Sequence, residues 1–69
     1  MISKDVMGDI VSAIIEDADE IRSKDNRDSQ DFGQLLAYAE VLTIIQEAFE
    51  KEDLADFGLD FDIDEKYLL

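Results

Sequence analysis

Three aspartates on alternate residues, Asp60-x-Asp62-x-Asp64, form the most chemically suggestive run in this chain, because oxygen ligands at that spacing open a calcium-binding loop. Such a loop also requires Gly at its sixth position and Glu at its twelfth. Here the sixth position is Glu65, and the twelfth falls past Leu69. Phe61 and Ile63 alternate with the aspartates, so the run reads as the wet side of an extended segment. No metal is expected there.

A second cluster, Glu16, Asp17, Asp19 and Glu20, places Glu16 and Glu20 one helical turn apart. Paired carboxylates work as acid and base, or hold magnesium, only where a cleft separates their pKa values. Di-iron bundles add histidines to such glutamates, and the chain has none. With neither His nor Cys, and no evident base beside Ser3, Ser12, Ser23 or Ser29, nucleophilic catalysis lacks its parts. Gly8, Gly33 and Gly58 lie too far apart for a phosphate loop. The expectation is no catalytic residue, no cofactor and no enzyme.

What remains is charge. Nineteen acids face six basic residues, a net charge of −13. Direct contact with nucleic acid or an anionic membrane needs Lys and Arg, and the one basic cluster, Arg22, Lys24 and Arg27, is interrupted by Asp25. A basic protein surface is the natural counterpart. The function read from this is a non-enzymatic acidic module or inhibitor docking on a basic, nucleic-acid-binding protein in the manner of a DNA mimic. The alternative is a homo-oligomeric assembly protein whose acidity serves solubility. Candidate partner contacts are Asp9, Glu16, Asp19 and Glu20 on one helix, Glu40, Glu47 and Glu50 on another, and Asp56, Phe57, Asp60, Phe61, Asp62 and Asp64 in the tail.

The elements positioning these residues are helical, and 69 residues make one domain, 1–69. A first helix over about 4–24 repeats its apolar residues at Met7, Val11, Ile14, Ala18 and Ile21, with Val6, Ile10, Ala13 and Ile15 widening the stripe. Ser3 suits its N-cap. A polar connector, 25–30, leads to a second helix over about 30–51, capped by Asp28 or Ser29. Its first stripe, Leu35, Tyr38, Leu42, Ile45 and Phe49, is flanked by a second, Ala37, Val41, Ile44 and Ala48. The apolar arc spans roughly two-thirds of that helix, more than one neighbour covers.

The acidic, aromatic tail, 52–69, alternates apolar residues with Gly or Asp from Phe57 to Asp64, the period of an extended arm, with Asp64 able to cap a last turn. Either the arm folds onto its own helices or its aromatics are anchors for a basic groove. Tyr38, Phe32 and Phe49 are assigned to the core. The fold class is thus all-α: an antiparallel two-helix hairpin with a C-terminal arm or short third helix. Dimerisation through Ala37, Val41, Ile44 and Ala48 would give a four-helix arrangement.

The stretch Phe32 to Phe49, with Gly33-x-x-x-Ala37-Tyr38, resembles short acidic proteins encoded by phages and mobile elements of low-GC Gram-positive bacteria. The resemblance implies a genomic setting rather than an activity. Small inhibitors from that setting, anti-CRISPR and other DNA-mimic proteins, share the charge but no motif. The start, Met1-Ile2-Ser3-Lys4-Asp5, lacks the features of a signal peptide. With no Cys and no membrane-length apolar run, a cytoplasmic location is expected.

Overall fold

The computed structural model describes residues 3–69; Met1 and Ile2, the first residues read for a leader, lie outside them. Four helices follow one another: α1 (Lys4–Arg22), α2 (Ser29–Ala48), α3 (Lys51–Phe57) and α4 (Ile63–Tyr67). No strand occurs among the described residues. The all-α expectation holds.

Each boundary has a chemical cause. The Ser3 hydroxyl accepts from the Val6 N–H and starts α1. Asp28 and Asp31 form a reciprocal capping box at the head of α2: the Asp31 N–H donates to Asp28 Oδ1 at 2.8 Å, and the Asp28 N–H donates to Asp31 Oδ2 at 3.2 Å. The connector is therefore 23–28 rather than 25–30.

α2 stops at Ala48, short of the expected 51, and Phe49 turns extended. Phe49 and Glu50 are not helix breakers, so nothing local announces the stop. Its reward is tertiary: the turn sets the Phe49 ring edge-on to Phe57, with centroids 5.1 Å apart.

The tail expected as an extended arm is helical on either side of residues 58–62, which lie outside helices. Phe57 ends α3, and Gly58 takes the left-handed conformation at φ 72° that ordinary side chains resist. The Leu59 N–H then reaches back to the Leu54 carbonyl and the Gly58 N–H to that of Ala55, a Schellman closure. Asp62, not Asp64, caps α4 by accepting from the Glu65 N–H. The alternation was nevertheless a true burial pattern: Phe57, Leu59 and Ile63 are buried and Phe61 is half-buried.

α1 and α2 pack as an antiparallel hairpin. Lys24 meets Asp31 at the connector end, while Lys4 meets Asp53 of α3, just past the far end of α2. α3 lies on α1 and α4 on α2. The core joins Val11, Ala18 and Ile21 of α1 to Leu35, Ala39 and Leu42 of α2, closed by Leu54, Phe57, Leu59, Ile63 and Tyr67. The aromatic tail is thus docked. Phe32, assigned to the core, is instead 55% exposed with the Arg27 guanidinium over its ring.

Candidate functional site

α1 presents Asp9, Glu16 and Glu20 to solvent, because those positions lie about half a turn from Val11 and Ala18. Asp19 is turned toward α4. Its Oδ1 accepts from the Tyr67 hydroxyl at 2.8 Å and pairs with Lys66 Nζ at 3.2 Å. Burial, reinforced by this carboxylate, raises the Tyr67 hydroxyl well above the ordinary phenol range. Arg22 Nε donates to the Lys66 carbonyl at 2.7 Å. Asp19 therefore ties the tail to the hairpin, a different task from the partner contact expected of it.

Glu40 and Glu47 are exposed along one edge of α2, on either side of the half-buried Thr43. Glu50 is exposed at the head of α3, and its carbonyl accepts from the Leu54 N–H. Asp56, Asp60, Asp62 and Asp64 are all exposed. Phe57 is only 5% exposed and belongs to the core, so this fold does not offer it to a partner. Phe61 is half-buried against Tyr67 and under the Lys66 ammonium.

Charge pairing is uneven. Lys4, Lys24 and Lys66 pair with Asp53, Asp31 and Asp19, which are the acids least open to water. Lys24 and the Asp28 N–H hold the Asp31 carboxyl below the usual range. The sixteen other acids are exposed, and none makes an ion pair among the described residues.

Compared with protein-family models, curated proteins and solved structures, the chain matches none. Its site is therefore read from geometry alone.

Among the described residues no three acidic side chains converge in a way that could hold a metal ion. No described helix is long and apolar enough to cross a membrane. Acids line each of five surface grooves, and two of these grooves carry three acids apiece. One, of about 390 Å³ between α1 and α3, has Asp5, Asp9 and Asp56 around Lys4. The other, of about 470 Å³ between α2 and α4, is lined by the buried Ala39 and half-buried Thr43, with the exposed Leu36, Ile44 and Leu68 and the exposed Glu40, Glu47 and Asp64 around them.

The residues proposed for self-association, Ala37, Val41, Ile44 and Ala48, are all exposed on the side of α2 away from its core face. Val6 and Ile10 are exposed too, on the side of α1 opposite Gly8 and Asp19.

Sequence reasoning missed Leu36 and Gln46, and read Leu68 only with the apolar anchors of the tail. Leu36 and Leu68 gain meaning only when α4 is laid beside α2. Gln46 did carry a signal, being a lone polar residue in step with Leu35, Ala39 and Leu42 on the buried face. Its amide donates to the Leu59 and Phe61 carbonyls at 3.0 and 2.9 Å, holding the loop before α4.

Proposed function

We propose that this protein is a non-catalytic acidic interaction module that docks on a basic, nucleic-acid-binding protein. One observation carries the reading: sixteen exposed acids make no ion pair among the described residues, while three of the six cations are spent on the three most sheltered acids. A surface so charged repels nucleic acid and anionic lipid, and steers cationic protein surfaces toward it. Asp9, Glu16 and Glu20 on α1 and Glu40 and Glu47 on α2 are rows on rigid helices, as DNA mimicry requires. A cytoplasmic location and a phage or mobile-element setting fit this reading.

The test is affinity chromatography from cytosol at low salt, followed by binding measurements with the purified partner. Affinity should fall steeply with salt, and duplex DNA should compete for the partner. Affinity indifferent to salt, or unchanged when the α1 and α2 acids are reversed to Lys, rejects the reading.

A second reading is favoured by a separate observation. Val41 and Ile44 are 42% and 65% exposed beside Ala37 and Ala48, and the α2 segment from Ser29 to Ala48 contains no cation. Pairing this face with that of a second copy would form a four-helix dimer, the assembly-protein alternative. Light scattering across micromolar concentrations decides it, and a monomeric mass throughout rejects it.

A further inference from the structure

The α2–α4 groove brings exposed apolar side chains and exposed carboxylates together. Leu36, Ile44 and Leu68 are 47%, 65% and 42% exposed, so three large apolar side chains open into one groove of about 470 Å³. Around them stand Glu40 and Glu47 on α2 and Asp64 on α4, all exposed and without an ion pair among the described residues. Exposed apolar side chains call for apolar counterparts, and carboxylates on both helices call for cations beside them.

The walls limit the form of the occupant. From Leu36 to Ile44 the lining runs about 12 Å along α2, a little over two turns of a helix laid beside it. Glu40 and Glu47 are about 10.5 Å apart along the same axis, the rise between residues seven apart on an incoming helix. Both walls are helices, so neither offers a strand edge for an added strand. Thr43 Oγ1 donates to the Ala39 carbonyl, which leaves that floor hydroxyl engaged.

The charge pattern also argues against a second copy in this groove. α2 has no Lys or Arg, and α1 has them only at its ends, Lys4 and Arg22. Laying either helix into the groove would set acids against Glu40, Glu47 and Asp64.

We propose that the α2–α4 groove receives about two turns of an amphipathic helix from the basic partner, with its apolar side chains against Leu36, Ile44 and Leu68 and its Lys or Arg side chains paired to Glu40, Glu47 and Asp64. This rests on the acidic-module reading and names the surface and the partner chemistry for it.

The probe is a synthetic 18-residue helix with Leu along one face and Lys on both flanks; its control is a peptide of the same composition in scrambled order. Binding to the full chain is followed by fluorescence anisotropy, with circular dichroism of every variant to confirm helicity. The ordered peptide should bind at least about tenfold more tightly than the scrambled one, and Glu40→Gln/Glu47→Gln/Asp64→Asn and Leu68→Ser should each weaken it about tenfold. The triple variant Asp17→Asn/Asp25→Asn/Glu52→Gln, an equal change of charge at exposed acids outside the groove, should shift affinity less than about twofold.

Equal binding of the two peptides, or equal loss in the two triple variants, overturns the groove and leaves the acidic module standing on diffuse charge. A dimer by light scattering that Leu68→Ser dissociates places a second copy in the groove and overturns it as well. Failure of both peptides to bind at low salt overturns the groove and the acidic-module reading together.

Discussion

Tyr67, in the last helix, donates its hydroxyl hydrogen to Asp19 of the first at 2.8 Å, across 48 positions of sequence. The same carboxylate oxygen meets Lys66 Nζ. One aspartate thereby holds two consecutive residues of the tail, and the aromatic stretch is packed rather than free.

Tyr67→Phe keeps the buried ring and removes this bond. It should lower unfolding free energy by about 1.5 kcal/mol in urea titration, the range for a hydrogen bond to a charged acceptor. The hydroxyl is raised in the folded state above its unfolded value of about 10. Its contribution is therefore complete below that pH and is lost as pH rises. Tyrosine absorbance should show one phenol ionising late in the folded protein, and the variant should lack it.

Gln46 joins α2 to the loop before α4 through one amide and two carbonyls. Gln46→Ala should cost about 1–3 kcal/mol. Gln46→Glu should cost more, because a carboxylate would face both carbonyls. Hydrogen exchange should quicken first across residues 59–67, before the α1–α2 hairpin loosens.

Neighbouring positions on α2 should respond in opposite ways. Leu42 is fully buried, and Leu42→Ala should cost about 2–5 kcal/mol, enough to unfold much of so small a domain at ambient temperature. Val41 is 42% exposed, and Val41→Asp should change monomer stability by less than about 1 kcal/mol. If two copies pack across α2, the latter variant halves the mass in light scattering without loss of helicity.

Asp31 links the capping box of α2 to Lys24. Its carboxyl is held low in the folded state by Lys24 and by the Asp28 N–H, so its contribution is complete above the unfolded value of about 3.9 and disappears as pH falls below it. The stability gap between the native chain and Asp31→Asn should be constant above about pH 5 and close in more acid solution. Thermal melts at several pH values measure this.

The hairpin was legible because amphipathic periodicity is a local property. Val11, Ala18 and Ile21, like Leu35 and Leu42, recur at helical spacing and are buried at that spacing. The Ser3 and Asp28 caps were legible for the same reason, since a cap acts over three residues. The end of α2 was not, because its cause is Phe49 meeting Phe57 eight residues later. The tail misled in a specific way. Alternation told correctly that Phe57, Leu59 and Ile63 face inward, but not that a separate helix, α3, precedes the run or that Asp62 rather than Asp64 starts the last one.

The sequence by itself determined an acidic, helical chain with an α2 too apolar to be covered by one neighbour, since composition and periodicity require no knowledge of distant contacts. Only the tertiary structure decided how the acids divide. It turned Asp19, Asp31 and Asp53 inward to three lysines, left sixteen acids outward, buried Phe57 and Tyr67, and opened a groove beside Leu36, Ile44 and Leu68. Whether a carboxylate is a tether or a free charge depends on what the fold brings within about 3 Å of it, and for Asp19 that neighbour lies 48 residues away.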